Sequence, residues 1–201
     1  MRQKTALFII FSLFSSHISF SQNIDDTYDF ANQLFLSGNF KQALTEYQRV
    51  AFFDEQDEYR DVFGKIGDSF YALGRYDDAF KNYDIAFRFE RNDSMKTELV
   101  FRKVNCLFQQ QNYLFALNEL FVLSDLKDSF LQNKYNLYLG IGYFGTENYD
   151  ESLKCFNQLV SPGSRERLEE LFRDFKKFRK RFNPSKIQTM SIIFPGLGQF
   201  Y

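Results

Sequence analysis

Hydrophobic residues in the stretch 59–91 recur at the spacing of an α-helix on both sides of a single glycine, Gly74. Before the glycine they are three or four residues apart, and after it they follow the spacing i, i+4, i+7. They are Phe63, Ile66, Phe70 and Leu73, followed by Ala79, Tyr83 and Ala86. Glycine can adopt the backbone angles that a tight reversal needs. The pattern therefore predicts two amphipathic helices joined at Gly74, with Gly67 and Ala79 where the helices approach closely.

The same pattern recurs along the chain at a nearly constant interval. The aromatic residue that follows each predicted turn is spaced by 36, 37 and 36 residues: Phe40, Tyr76, Tyr113 and Tyr149. Small residues match at other offsets, as with Ala31 in the first copy and Gly140 in the fourth, although the third turn (109–112, QQQN) lacks a glycine. A bundle with coincidental spacing is the alternative, but three near-equal intervals favour a true repeat.

The order of small and large residues in each copy is similar to the tetratricopeptide repeat pattern. The resemblance covers residues 25–160, with repeats at about 25–58, 60–94, 97–131 and 133–163. It implies an all-α fold, a right-handed superhelical solenoid of about four helix pairs. Such hairpins bury their apolar faces only by stacking on one another.

Residues 1–21 have the features of a signal peptide. Two basic residues precede an apolar run at 6–14, and small residues precede the expected cleavage before Gln22. The apolar run is too short for a stable transmembrane helix, although an uncleaved anchor is the alternative interpretation. We therefore expect an exported protein of the periplasm or cell envelope.

The chain's one histidine, His17, lies inside this leader, so the mature protein would have none. This excludes Ser-His-Asp and Cys-His catalysis and the commonest transition-metal ligand. The paired carboxylates at 77–78 and 169–170 are helix neighbours that point about 100° apart and do not converge on one substrate. The acidic connector 54–58 lacks the ligand spacing of a calcium loop. We predict a protein that is not an enzyme, with no cofactor and no metal.

The two cysteines, Cys106 and Cys155, leave two possibilities open. A disulfide between repeats is conceivable in an oxidising compartment, and two thiols that form no disulfide are the simpler interpretation.

Charge is distributed unevenly along the chain. Residues 165–186 hold nine basic and four acidic residues, whereas the rest of the mature chain holds 14 basic and 22 acidic. An acidic repeat block would repel a phosphate backbone. Nucleic acid is therefore not an expected partner.

Residues 164–182 are predicted to form a basic amphipathic helix that begins with Ser164 as its N-cap. Its apolar stripe consists of Leu168, Leu171, Phe172, Phe175, Phe178 and Phe182. Two interpretations are compatible with each other: a capping helix for the last repeat, or a segment attracted to an anionic membrane surface.

Residues 183–201 form an apolar tail. Its last seven residues, PGLGQFY, resemble the Pro-Gly-x-Gly-Gln-x-Tyr motif that opens small bacterial membrane-hairpin domains. The resemblance implies either the start of a truncated membrane segment or a vestigial tail.

In tetratricopeptide proteins the first helix of each repeat lines a concave binding surface. That family property implies a partner-binding set of amide, carboxylate and aromatic side chains: Asn32, Phe35, Asp68, Tyr71, Asn105, Phe108 and Phe144. Such a surface suits an extended peptide or an amphipathic helix, and the alternative is that the aromatic residues pack as core. Tyr28 replaces the lysine of family members that bind a C-terminal carboxylate, so that mode is not expected.

The predicted function is a non-catalytic protein-interaction scaffold of the bacterial cell envelope. The alternative is a membrane-anchored assembly or regulatory component.

Overall fold

The computed structural model describes residues 23–54, 59–123 and 126–181, and these ranges contain helices and no strand. The helices are α1 (Ile24–Leu36), α2 (Phe40–Phe53), α3 (Val62–Ala72), α4 (Tyr76–Phe89), α5 (Asp93–Gln109), α6 (Tyr113–Leu120), α7 (Ser129–Gly145), α8 (Tyr149–Asn157) and α9 (Pro162–Arg181). The predicted all-α fold of four helix pairs and one further helix is confirmed. The predicted signal peptide and the apolar tail lie outside the described residues.

The first compact unit ends at Phe89 and contains two helix pairs. Within it α1 packs on α2, α3 packs on α4, and α2 also packs on α3. Its fully or almost fully buried side chains come from all four helices, and they include Ala31, Ala43, Tyr47, Val50, Val62, Ile66, Ala79 and Tyr83. Each hairpin thus covers the apolar face of its neighbour, as repeat packing requires.

The second compact unit begins at Glu90 and contains the other two pairs and α9. Here α5 packs on α6, α6 on α7, α7 on α8, and α8 on α9. The most deeply buried side chains are Val100, Phe101, Val104, Cys106, Ala116 and Leu120. An ion pair accompanies them, in which the buried Lys103 places its Nζ atom 2.8 Å from Oε2 of the half-buried Glu119.

Every turn within a pair has one residue in the left-handed region of φ, at the same position of the repeat. These residues are Gly38 (φ 79°), Gly74 (φ 73°), Gln111 (φ 57°) and Glu147 (φ 62°). Each donates its N–H to the carbonyl three residues back, and the next residue donates to the carbonyl five residues back. This hydrogen-bond pattern ends the first helix of each pair. The third and fourth turns have it without glycine.

Small residues lie where the first helix of a pair meets a large side chain of the second. A Cβ atom added to Gly67 would be 2.6 Å from the Tyr83 ring, and one added to Gly140 would be 2.6 Å from the Phe156 ring. The predicted close approach at Gly67 is therefore confirmed. In the third pair the equivalent residues are Val104 and Leu120, both fully buried, so a larger residue on one helix goes with a smaller one on the other.

Two helix starts differ from those that local sequence favours. Asp93 and Ser94 are both favourable N-cap residues before the third pair, but the side chain of Asn92 caps α5 and accepts from the N–H groups of Ser94 and Met95. The last helix begins at Pro162, two residues before the predicted cap at Ser164. Proline suits the first turn of a helix, where its missing N–H would have no intrahelical acceptor.

The apolar stripe of α9 is divided between packing and exposure. Phe172 is buried, with its ring centre 5.9 Å from that of Phe144, and Phe175 lies 5.0 Å from the same ring. Leu171 and Phe178 remain about 60% exposed. Lys176 Nζ lies 2.5 Å from Asp150 Oδ1, and Arg179 pairs with Glu147. The helix is therefore fixed to the fourth pair by aromatic contacts and two ion pairs.

Candidate functional site

The seven predicted partner-binding residues all lie on the first helices of the pairs. Asn32 and Phe35 are on α1, and Asp68 and Tyr71 are on α3. The second unit supplies the other three from α5 and α7. Six of the seven side chains are half-buried, and Phe144 is 37% exposed. They are neither core residues nor fully solvated ones.

The four aromatic residues of the set have one contact in common. Each packs against the aromatic residue that begins the next helix, with ring centres 5.2 to 5.9 Å apart. The pairs are Phe35–Phe40, Tyr71–Tyr76, Phe108–Tyr113 and Phe144–Tyr149. One face of each ring thus supports the turn of its own pair, which is a structural role beside any role in binding.

Two members of the set in the second unit have further aromatic neighbours. Phe108 lies 5.8 Å from the Tyr138 ring of α7, and Phe144 lies beside Phe172 and Phe175 of α9. The last helix therefore occupies part of the surface that Phe144 would offer to a partner.

Asn32 and Asp68 accept hydrogen bonds from tyrosines of the second helices. The hydroxyl of Tyr47 donates to Asn32 Oδ1 and that of Tyr83 donates to Asp68 Oδ1, each at 2.8 Å. Because Tyr47 and Tyr83 are almost fully buried, they hold the two polar side chains in fixed orientations.

A tyrosine–carboxylate cluster extends this surface in the first unit. The hydroxyl of Tyr28 donates to Asp61 Oδ2 at 2.5 Å, and the hydroxyl of Tyr59 donates to Asp25. The rings of Tyr28 and Tyr59 are 4.8 Å apart. The sequence predicts Tyr28 only as the residue in place of a lysine, and it does not predict the cluster. Helical spacing places residues 25, 28, 32 and 35 on one face of α1, but it does not reveal the contacts with Tyr59 and Asp61, which lie more than 30 residues away.

Burial and nearby carboxylates suppress ionisation of the tyrosines in this cluster. Burial, with the Asp61 carboxylate, raises the pKa of Tyr28. Burial, followed by the negative charges of Asp68 and Asp61, raises the pKa of Tyr47 to about 12. The hydroxyls are therefore neutral donors at physiological pH. The charged groups of the surface are the carboxylates of Asp25, Asp61 and Asp68 and the Lys65 ammonium, which lies one helical turn from both Asp61 and Asp68. It is an acidic surface with aromatic side chains.

The described residues contain no group of three or more His, Cys, Asp or Glu side chains that could hold a metal ion. In the structure Cys106 is a buried free thiol and Cys155 a half-buried one. Burial raises the pKa of the Cys155 thiol, so this thiol is less reactive than an exposed one. In the part of the chain that the structure describes, no helix combines the length and the apolar character that a membrane crossing requires.

Two solved structures of MamA are similar to this chain. MamA 41-end from Desulfovibrio magneticus RS-1 matches with a TM-score of 0.60 and 15% sequence identity, over 89% of this chain and 99% of that one. The MamA RS-1 ArsTM double mutant matches with a TM-score of 0.58 and 16% identity, over 87% of this chain and 93% of that one. No protein-family model and no curated protein matches. At this identity the likeness shows the fold alone, a helical solenoid of the tetratricopeptide type.

Proposed function

We propose that the chain is a non-catalytic scaffold that binds a segment of a partner protein on the first helices of its repeats. The observation that carries the proposal is the surface of α1 and α3, where the Asn32 amide and the Asp68 carboxylate are held in place by hydrogen bonds from buried tyrosines. Side chains fixed before binding lose less conformational entropy when a partner binds. The tetratricopeptide resemblance implies that the first helices line a groove, and in this proposal the groove is the binding site.

The chemistry of the surface favours a partner segment with basic and apolar side chains. Lysine or arginine would pair with Asp61 and Asp68 and would lie over the rings of Tyr28 and Tyr71. An extended peptide and an amphipathic helix can both present such side chains. We propose one of these two as the partner segment.

The proposed location is the bacterial cell envelope. It rests on the signal-peptide features of residues 1–21. Fractionation of cells that produce the full chain, with sequencing of the mature N-terminus, tests it. Processing before Gln22 is expected, and an unprocessed cytosolic protein would contradict export. The alternative function, a membrane-anchored assembly component, is favoured by the apolar tail and its hairpin-like motif, and it predicts that the chain sediments with membranes.

The binding proposal is tested by removing charge without removing hydrogen-bond acceptors. In the variant Asp61→Asn with Asp68→Asn, the amide oxygens can still accept from Tyr28 and Tyr83, while two negative charges are lost. The probe is a fluorescently labelled amphipathic peptide with lysine on one face and leucine on the other. We expect the variant to weaken binding at least about fivefold, as measured by fluorescence anisotropy.

The matched control is Glu166→Gln with Glu170→Gln, which removes two exposed carboxylates from α9. It should bind the peptide as the wild type does. A second variant, Phe35→Ala with Tyr71→Ala, removes aromatic surface from α1 and α3 and should also weaken binding. Since both residues support turns, circular dichroism must first show that this variant is folded. Equal binding by the wild type and both folded variants would refute the proposal.

A further inference from the structure

A basic groove lies between α8 and α9 in the second unit. It encloses about 390 Å³ and is lined by Leu153, Glu169, Phe172, Arg173, Lys176, Lys177 and Lys180. The cations are spaced i, i+3, i+4 and i+7, so they share one face of α9. Buried Phe172 and half-buried Leu153 supply an apolar floor. Glu169 is the one carboxylate of the lining, against four cations.

The cations of the groove are only partly neutralised within the chain. Lys176 pairs with Asp150, and Lys177 Nζ lies 3.4 Å from Asp174 Oδ1 in an exposed pair. Among the residues that the structure describes, no carboxylate lies within ion-pairing distance of Arg173 or Lys180. Like charges one helical turn apart weaken a helix. An anionic ligand would relieve this repulsion.

We propose that the basic groove binds an acidic segment of a partner protein. Two carboxylates of that segment pair with Arg173 and Lys180, and an apolar side chain between them packs on Phe172 and Leu153. The two cations are seven residues apart, which is about 10 Å along the helix axis. A helical partner segment matches that distance with acidic residues at i and i+7. The volume of the groove suits one apolar anchor, because it is near the lower limit for ligand pockets.

The arrangement of side chains around α9 favours a protein over a membrane surface. The exposed apolar residues Leu171 and Phe178 lie about 160° around the helix from the centre of the cation face, at 3.6 residues per turn. Glu170 and Asp174 lie between the two faces on the solvent side, together with Arg167 and Arg181. A helix that binds in a membrane interface has its cations flanking its apolar face. Here the four cations of the groove point away from Leu171 and Phe178, and two carboxylates lie between the two faces.

This site does not rest on the proposed function, since none of its lining residues belongs to the surface of α1 and α3. A negative result in the binding test of one site therefore does not contradict the proposal for the other site. The probe is a labelled alanine-based helical peptide with glutamates seven residues apart and a leucine midway between them. A second peptide has glutamine at both glutamate positions.

The groove variant is Arg173→Gln with Lys180→Gln, and the matched control is Arg165→Gln with Arg167→Gln. Both remove two positive charges from exposed positions of the same helix. We expect the wild type to bind the glutamate peptide with an affinity that falls as salt is added. The groove variant should bind at least about fivefold more weakly, and the control less than about twofold.

Three results would overturn the proposal. The two protein variants could weaken binding equally, which would indicate net charge and not the groove. The glutamine peptide could bind as well as the glutamate peptide. Vesicles containing phosphatidylserine could bind the wild type through Arg173 and Lys180 while the glutamate peptide does not compete, which would assign the groove to lipid.

Discussion

At the scale of single residues, the four turns show how far a common backbone can be kept without a common residue. Gly38 and Gly74 adopt positive φ at no steric cost, whereas Gln111 and Glu147 adopt it despite their side chains. The missing glycine in the third repeat therefore did not change the turn. Having glutamine in place of glycine instead leaves backbone strain at Gln111, because a side chain disfavours the left-handed conformation.

Replacing Gln111 with glycine should therefore stabilise the protein. The change relieves the left-handed strain, and this gain is partly offset by the greater freedom of glycine in the unfolded chain. We expect the free energy of unfolding to rise by up to about 1 kcal/mol in urea titrations. The control makes the reverse change at the equivalent position of the second turn, Gly74→Ala. The new Cβ atom would have open space, but the same positive φ should lower the stability of this variant. A loss of stability in Gln111→Gly would contradict the interpretation that the backbone at Gln111 is strained.

Because of Tyr47, the stability of the first unit should depend on pH in the alkaline range. Its pKa is about 12 in the folded protein and about 10 in an unfolded chain. The neutral phenol therefore contributes stability that is complete below pH 10 and is lost as the pH rises from 10 through 12. Tyr47→Phe cannot ionise, and at pH 7 it should cost about 1 kcal/mol for the lost hydrogen bond to Asn32.

The measurement is the free energy of unfolding of both proteins between pH 7 and pH 11.5. The wild type should lose its advantage over Tyr47→Phe as the pH rises above 10. The negative charge of ionised Tyr47 contributes to the raised pKa of Tyr28, so the difference between the two curves reports Tyr47 together with its effect on Tyr28. Parallel curves across the whole range would show that Tyr47 ionises as readily in the folded protein as in the unfolded chain.

At the scale of the helix, the features that the sequence predicted well are the small residues at helix–helix contacts, which packing determines. Gly67 and Gly140 are small because a large ring of the second helix meets them, and that constraint recurs at a fixed interval that a single sequence reveals. The helix starts were predicted less well. Asn92, Asp93 and Ser94 are all good caps, and local sequence cannot choose among adjacent residues with similar preferences.

For the candidate site, too, the sequence predicted one part well and another part poorly. Its residues could be placed on the first helices because helical periodicity fixes which face they share. Their partners could not be predicted, since the hydrogen bonds to Asn32 and Asp68 depend on a tyrosine 15 residues away on the second helix. The contacts of Phe144 with Phe172 and Phe175 likewise depend on where α9 packs, and no spacing within a repeat contains that information.

The packing of α9 can be tested with two neighbouring residues. Phe172→Ala removes a buried ring that contacts Phe144 and Phe156, and such truncations cost about 3 kcal/mol or more. Leu171→Ala, at a 60% exposed position, should cost well under that. Because Phe172 joins α9 to the fourth pair, the loss should show first as faster amide exchange in α9. Equal exchange in the two variants would mean that the aromatic contacts do not hold the helix.

At the scale of the whole molecule, the described chain is built from two compact units with the same internal design. In repeat proteins each element contacts mainly its neighbours, and stability is approximately a sum of local terms. A change inside one unit should therefore act mainly on that unit. The equivalent glycines Gly67 and Gly140 allow the same perturbation to be made in either one.

Gly67→Ala and Gly140→Ala each place a Cβ atom 2.6 Å from an aromatic ring, and overpacking of this kind typically costs about 1–3 kcal/mol. Hydrogen exchange read by mass spectrometry should show faster exchange in α1–α4 for Gly67→Ala and in α5–α9 for Gly140→Ala. Gly64→Ala is the control in α3, because its Cβ atom would meet nothing within 4 Å and alanine favours helix. It should leave exchange unchanged or slow it. If both overpacked variants instead speed exchange uniformly along the chain, the units unfold as one cooperative block, and stability in this protein is not a sum of local terms.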